Sequence, residues 1–518
     1  MSTGFALSLP LAHMISEKSL TCWILNSFRI NKDWFVSLSL FTVTLLSRIP
    51  FRVSFLYSWD SVLYTRAIEH FDVSVHQPQP PGYIFYVGLV WLVNRLFGDP
   101  DSAMIWISAF TAAAAVAALY WLGKIMFNRS TGLLASLLLA TSLSFWGLSE
   151  VAFPYTLLAF LGTLLAIAIY KIWQGDKRYV LPSAALLGLL AGFRQDLLPF
   201  LLPLFVASLP GKGWRRAAGS ALLLVVAIAT WYLPSAILTG GFSIYREASS
   251  REMAGVLQDF SVFEQGTGAL VRNASLFRHF MLLATAGALP FIAYFLLRLC
   301  APASRSIRRD RRLLFLAVWF APAALFYLFI HIGEPGYVFS ILPASLLAAS
   351  WGISLLAADL RSVSLRKVGK QLSYLLPALA IGANLFLFLA SDARFSSRDL
   401  AGGDEVFQSR LDTVRANFKP RTTLIVTVYE FERVLYYLPD YQVWHFDPVA
   451  IKDPETIIPK EVKDVVFFGD SLDLKGSSLA ESLPISDGKK LFYIDMEAAG
   501  IGKHVLAVDW NRKSVALS

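Results

Sequence analysis

Two cysteines in 518 residues, Cys22 and Cys300, exclude a disulfide framework. Charge is scarce too: Asp, Glu, Lys and Arg make up 16% of the chain, against roughly 25% in an ordinary soluble domain. No HExxH, CxxC, Walker or GxSxG pattern occurs in a fitting context, so a zinc protease, an ATPase and a serine hydrolase have no support. A cleavable signal pattern is missing as well. Residues 1–33 carry Lys18, Arg29 and Lys32, without a small-residue cleavage site after a short apolar run. What is abundant is apolar: 56% of residues are hydrophobic and the mean hydropathy is +0.54. That excludes a disordered chain, a coiled coil and a soluble enzyme with one compact core, and points to a polytopic membrane protein. The net charge of +9 does not argue for a nucleic-acid partner, because membrane proteins concentrate Lys and Arg on their cytoplasmic side.

A helix needs about 20 apolar residues to cross the hydrocarbon layer. Eleven segments qualify or come close: 34–51, 102–123, 131–149, 153–170, 180–193, 197–210, 217–238, 279–298, 313–330, 337–357 and 372–391. The pair 180–193 and 197–210 is short and reads as a tight or re-entrant hairpin. With the N-terminal segment 1–33 in the cytoplasm, the inner segments hold 21 Lys and Arg and the outer loops hold 9. This obeys the positive-inside rule and leaves both cysteines on the reducing side. The apolar stretch 82–97 would invert every later loop if it crossed, so the expectation is a helix lying at the outer interface, where Tyr83, Tyr86 and Trp91 suit the depth.

The expected fold class is therefore mainly α, a membrane helical bundle over 34–391, with a tail on the outer face over 392–518. In the tail, charge returns and apolar runs shorten. Thr422–Tyr429, Tyr441–Phe446, Val465–Phe468, Leu491–Asp495 and His504–Asp509 read as strands, and Glu430–Leu438 as a short helix. A small α/β domain without a phosphate-binding loop follows, and it reads as an accessory or acceptor-contacting unit. The inner loops are short and basic, whereas the outer loops 52–101 and 239–278 are long. Long loops with no simple connecting task are usually functional, which places function on the outer face.

The first outer loop carries Asp60, close behind the first span and flanked by Tyr57 and Trp59. A part-desolvated carboxylate there fits a base or a cation ligand, and it equally fits a helix N-cap, since an evident helix follows. His76-Gln-Pro-Gln-Pro-Pro-Gly-Tyr83 is stiffened by three prolines. It either holds His76, Gln77 and Tyr83 against a ligand or simply connects two interfacial helices. Glu150 ends the third span as a lone acid at a membrane boundary, a functional signal by default, with a solvated turn as the alternative. Arg194 either pairs with Asp196 or meets a phosphate, for which its fork is suited. The late outer turn His331-Ile-Gly-Glu-Pro-Gly-Tyr337 sets His331, Glu334 and Tyr337 at one level, where a lone His is more often solvated than catalytic.

In order and sidedness, these features resemble the GT-C membrane glycosyltransferases, in the branch of protein O-mannosyltransferases and aminoarabinose transferases. The resemblance runs over about 34–357 and is strongest over 57–160. It implies transfer of a sugar from a polyprenyl-phosphate donor to a protein, lipid or glycan acceptor on the outer face. It maps the family's first-loop acid onto Asp60 and its second-loop acid onto Glu150, where many members carry Asp. The basic position near the family's prolines is occupied by His76 and Gln77, and its late Arg-Tyr pair is here Gly336-Tyr337. On this reading Asp60 is the base, Glu150 orients base or acceptor, and Arg194 and His76 face the departing phosphate. No nucleotide cofactor is required, and a divalent cation between Asp60 and Glu150 is allowed but not demanded. Two other classes stand beside it: a secondary transporter, which predicts internal repeats and midmembrane charges that the sequence lacks, and a noncatalytic envelope-assembly protein.

Overall fold

The computed structural model describes residues 32–362, 366–427, 430–445 and 461–468, with the strands 480–484, 490–495, 506–509 and 514–517. Of the N-terminal segment 1–33, residues 1–31 lie outside the described residues, as do Val428, Tyr429, Phe446, His504 and Val505 of the expected strands.

The described residues open with α1 (Lys32–Arg48), then α2 (Trp59–Glu69), α3 (Ile84–Phe97), α4 (Pro100–Met126), α5 (Arg129–Thr141), α6 (Leu143–Gly147) and α7 (Tyr155–Trp173). It continues through α8 (Val180–Phe193), α9 (Leu197–Val206), α10 (Trp214–Leu238), α11 (Phe242–Phe260), α12 (Val262–Thr285) and α13 (Leu289–Cys300). The short α14 (Arg305–Arg308) precedes α15 (Arg311–Phe329), α16 (Leu342–Ser362) and α17 (Arg366–Leu389). Among the described residues, seven helical stretches are long and apolar enough to cross a membrane, and Ile84–Phe97, Leu197–Val206 and Tyr374–Leu389 are shorter apolar helices.

Helix α4 sits at the centre of the bundle, packed on α1, α3, α5 and α7. Its alanines Ala112, Ala113 and Ala115 are buried, and a Cβ on Gly123 would run into the backbone of Gly132 on α5. Small residues let apolar helices approach this closely, which is how packing replaces the hydrophobic effect inside lipid. The outward faces carry large apolar side chains. Trp34, Phe35, Leu38, Val43 and Leu46 of α1 and Leu222, Val225 and Val226 of α10 are exposed. Such faces are stable only against lipid.

Several expected spans change form. Residues 131–149 are two helices, because the chain breaks at Ser142, whose hydroxyl donates to the Ala284 carbonyl at 2.7 Å. The segment 279–298 is interrupted at Ala286–Ala288, where the Gly287 N–H donates to Asn384 Oδ1 at 2.8 Å and the Ala380 carbonyl fills the space of a Gly287 side chain. Helices α8 and α9 have only 14 and 10 residues. The last full span starts at Leu342 rather than 337, since Pro335–Ser340 forms a 3-10 turn. Helix α3, with 14 residues, is about 21 Å long, less than the roughly 30 Å of a hydrocarbon core.

The tail opens with a helix absent from the sequence reading, α18 (Ser397–Asn417), capped by Ser396 Oγ accepting from Asp399 N. It leads to β1 (Thr423–Thr427), α19 (Phe431–Tyr437), β2 (Gln442–His445), β3 (Asp464–Phe467), β4 (Ala480–Pro484), β5 (Lys490–Asp495), β6 (Leu506–Asp509) and β7 (Ser514–Leu517). One sheet has the order β2-β1-β3-β5-β4, with β1 parallel to both neighbours and β5 antiparallel to β3 and β4; β6 and β7 form a separate pair. Strands β4 and β7 escaped the sequence reading.

The tail docks on the chain between α1 and α4. Arg66 pairs with Glu432 at 2.7 Å, and Tyr437 Oη donates to Asp101 Oδ2 at 2.6 Å while accepting from Leu56 N at 2.8 Å. Phe55 is wedged between the rings of Phe407 and Tyr437.

Candidate active site

The connection between α1 and α2 is folded back on the bundle by the segment after α6. The Glu150 carbonyl accepts from Val53 N at 3.2 Å, and the Ala152 carbonyl accepts from Ser61 Oγ at 2.7 Å. This sets the start of α2. The N-cap is Ser58, with no side-chain cap bond, and Asp60 lies within the first helical turn. The capping alternative for Asp60 therefore does not hold.

The proline-stiffened stretch is bracketed by two non-glycine residues in the left-handed region, His76 (φ 58°) and Tyr83 (φ 43°). Such backbones persist only where their surroundings enforce them, and they cluster at functional sites. Asp72 and Gln77 exchange backbone hydrogen bonds of 2.6 and 2.9 Å, and Tyr245 Oη donates to the Pro81 carbonyl at 2.8 Å. The segment is thus anchored at both ends, to itself and to α11. Within it, Gln79 lies close enough to Asp60 to draw its pKa down; Gln77 serves the hairpin through its backbone.

Arg194 occupies the turn between α8 and α9 and is buried. Its Nε donates to Asp196 Oδ2 at 3.0 Å. Three tyrosine rings enclose the guanidinium, with centroids at 5.6 Å for Tyr83, 5.2 Å for Tyr155 and 4.6 Å for Tyr337. Two glycines admit this packing: Cβ atoms at Gly336 and Gly192 would collide with the rings of Tyr155 and Phe85. A caged guanidinium stays charged, so the pocket is a fixed cation.

Asp60 faces that cation. Its carboxyl is pushed up to about 6, chiefly by burial, with Arg194 drawing it down, Glu252 of α11 pushing it up, and Gln79 and His76 drawing it down. Glu334 belongs to the same chamber: burial and then Asp60 push it up to about 7, against Arg394 and Arg194. His331 packs on Phe260 at 4.7 Å and on Tyr337 at 5.8 Å. Burial, with Arg194 and Arg272, lowers its pKa to about 4, so it is neutral at pH 7. Buried polar atoms without partners surround the chamber: Gln79 Oε1, both side-chain atoms of Gln195, Asp196 Oδ1 and His331 Nδ1. Native interiors pair nearly all such atoms, so a cluster of them marks space for a ligand or ordered water.

Glu150 has other company. Its side chain is fully buried and neither carboxylate oxygen has a hydrogen-bond partner. Burial pushes it up to about 8, with Arg48 and Arg52 drawing it down. Arg48 lies 4.2 Å over the Trp146 ring and donates to Ser149 Oγ at 3.0 Å and to the Ala140 carbonyl at 2.7 Å. The structure thus brings Asp60, Arg194, Tyr83, Tyr337, His331 and His76 to one chamber and gives Glu150 a different set of neighbours. Among the described residues no group of three or more His, Cys, Asp or Glu is arranged to hold a metal ion.

Two clefts border the chamber. One of about 210 Å³ is lined by His76, Pro80, Glu252, Asp259 and Phe260. The other, of about 440 Å³, is mostly apolar and lies between α10 and α11, with Pro81, Trp231, Tyr232, Tyr245, Met253 and Leu257 on its walls and Arg246 beside them. Sequence reasoning missed Gln79 and Glu252. The signal for Gln79 was its place between Pro78 and Pro80, whereas Glu252 gave none, because 239–278 read as loop rather than as helix.

A family model described as dolichyl-phosphate-mannose-protein mannosyltransferase matches residues 79–238. Among solved structures, the chain is similar to ArnT from Cupriavidus metallidurans bound to undecaprenyl phosphate, with 13% identity, 92% of this chain and 98% of that chain covered, and a TM-score of 0.57. The apo state of that protein matches at 13% identity with the same coverages and a TM-score of 0.52. AglB from Archaeoglobus fulgidus in complex with an inhibitory peptide and a dolichol-phosphate aligns at 15% identity over 83% of this chain and 69% of that one, with a TM-score of 0.46. No curated protein matches the chain. At 13% identity the likeness to ArnT is one of fold.

Proposed function

We propose, from the premise that this chain has the GT-C fold of integral membrane glycosyltransferases, that it moves a sugar from a polyprenyl-phosphate donor to an acceptor hydroxyl or amine on the outer face. The observation that carries the reading is the caged Arg194 facing Asp60 beside an apolar cleft. Transfer breaks the bond between the anomeric carbon and the phosphate oxygen and forms one to the acceptor heteroatom. The acceptor's proton passes to a base, and the phosphate departs with added negative charge. Asp60 is that base. Arg194 holds the phosphate, with Tyr83 and Tyr337 keeping its fork in place and His76 at the rim. His331, neutral, offers hydrogen bonds rather than charge.

The apolar cleft beside Pro81 suits acyl chains, and the family-model match to a dolichyl-phosphate-dependent enzyme supports a lipid-linked donor. Glu150 orients base or acceptor in this reading, and its main-chain carbonyl accepts from Val53 N of the loop that carries Asp60. The test supplies the purified protein with polyprenyl-phosphate hexoses and pentoses in one arm and nucleotide sugars in the other. Release of polyprenyl phosphate that disappears in Asp60→Asn supports the reading. Turnover of the soluble nucleotide sugar alone overturns it.

A further inference from the structure

The docked tail leaves a cleft of about 530 Å³ against the first outer loop, lined among others by Tyr57, Arg394, Asp399, Asp404, Glu430 and Arg433. It is separate from the apolar and His76-lined clefts described above, yet it reaches the chamber. Tyr57 stands on its wall three residues before Asp60 and packs on Phe153 at 5.7 Å. Burial pushes the Tyr57 hydroxyl up and Arg394 draws it down, while Asp60 and Arg394 both act on Glu334. The cleft wall and the wall of the Asp60 chamber are therefore one stretch of chain.

We propose that this cleft is the acceptor site and that it takes a saccharide; the inference rests on the transfer reading above. Three observations argue for that chemistry. The volume falls in the small-ligand range of roughly 300–1,000 Å³, too small to enclose a folded protein surface. The lining interleaves carboxylates with guanidinium groups, so an occupant must both donate and accept hydrogen bonds at close intervals, as sugar hydroxyls do and apolar peptide side chains do not. The lining is also fixed in advance: Asp404 accepts from Ser54 N, Asp399 accepts from Phe395 N at 2.8 Å, and Arg433 donates to Glu430 at 2.8 Å while stacking 3.7 Å over Phe407. Arg394 has no ion-pair partner among the described residues. In the proposed site the exposed Arg394 guanidinium supplies hydrogen-bond donors to the saccharide, and Tyr57 supplies a ring for a sugar face.

The full-length chain in detergent, fluorescently tagged, is applied to a glycan array and, in parallel, to an array of serine- and threonine-containing peptides. The expected result is selective binding to a subset of glycans, weakened roughly tenfold or more in Arg394→Gln, the scale set by one charge-assisted hydrogen bond, and likewise in Tyr57→Ala. Lys212→Gln, on an opposite loop, binds as the parent does. No glycan above background, binding indifferent to both cleft variants, or capture by peptides alone overturns the proposal. No donor is present in this assay, so it is independent of the lipid-donor test: turnover without glycan binding refutes the acceptor site only, and glycan binding without turnover refutes the transfer reading only.

Discussion

The guanidinium of Arg194 lies 4.6 Å from the ring centroid of Tyr337. The two residues come from distant turns, one between α8 and α9 and one in the 3-10 segment before α16. In sequence the late outer turn offers Gly336-Tyr337 where the family resemblance leads one to expect Arg-Tyr. In space an arginine stands over that tyrosine all the same, and Gly336 leaves the room for Tyr155 to complete the cage.

The cage makes Arg194 specific as well as charged. Arg194→Lys retains the charge but loses the fork and the stacking, so donor use should fall about tenfold. Arg194→Ala loses the whole phosphate contact, which for a hydrogen bond to a charged group amounts to about 1.5–3 kcal/mol, or roughly 10- to 150-fold in kcat/KM. Steady-state kinetics with the lipid-linked donor decide it. A lysine variant as active as the parent removes the phosphate role.

Asp60 sets the pH dependence. A base works ionised, and burial has moved this carboxyl up to about 6 against the attraction of Arg194. Transfer should therefore rise with pH, reach half its plateau near 6 and stay flat above it until another group titrates. Asp60→Asn should lose about 10²–10⁴-fold in rate on the plateau above pH 6, with the difference from the parent shrinking as pH falls. The same shift fixes the sign for stability. A carboxyl whose pKa is raised by folding binds more protons folded than unfolded between its ordinary value and about 6, so its contribution falls as pH rises through that window. The asparagine variant should hence be at least as stable as the parent at pH 7.5, separating lost chemistry from lost fold. A rate unchanged between pH 5 and 8 excludes Asp60 as the base.

The bundle was legible in the sequence because lipid imposes a simple rule: long apolar runs must be helices. All eleven expected segments correspond to helical stretches, and 82–97 holds the short helix Ile84–Phe97. Breaks at Ser142 and Ala286–Ala288 were not legible, since each depends on a hydrogen bond to a residue far along the chain. Asp60, Arg194 and Tyr337 stood out as candidates because charge and aromatics at a membrane boundary are conspicuous, and the structure places them close together. Gln79 was not legible beside Gln77 because the turn geometry of a proline-rich stretch decides which of the two comes near Asp60. Glu150 looked equivalent to Asp60 for a related reason: span ends give depth but not direction, and its side chain turns toward Arg48.

Arg48 and Glu150 make a stability prediction. Arg48 is the donor to Ser149 Oγ and to the Ala140 carbonyl at the break between α5 and α6. Arg48→Ala leaves those buried groups without it, at about 1–3 kcal/mol for each group orphaned, and thermal unfolding in detergent should show a clear drop in Tm. Glu150→Gln replaces an acid whose two oxygens lack partners with a neutral amide of the same shape, so its Tm should equal or exceed the parent's. Its transfer rate should fall much less than that of Asp60→Asn, with the midpoint near pH 6 unmoved. A Glu150→Gln rate as low as that of Asp60→Asn makes Glu150 a direct participant.

The placement of the chamber and tail on the outer face is the last prediction, and it rests on the split of 21 Lys and Arg inside against 9 in the outer loops. The chain supplies half of the reporter pair itself. Cys300, at the end of α13, is exposed and falls on the expected inner side, just before the Arg305–Arg312 cluster. Asn417, at the end of α18, is exposed in the tail, and Asn417→Cys provides the second reporter once Cys22 is replaced by Ser. A membrane-impermeant maleimide added to intact cells should label Asn417→Cys and spare Cys300, and both should react after the membrane is opened. The comparison is internal to one molecule, so poor expression or slow thiol chemistry cannot mimic it. Labelling of Cys300 in intact cells with Asn417→Cys protected inverts the whole assignment. It would also move Asp60 and Arg194 to the cytoplasmic face, where nucleotide sugars are the available donors.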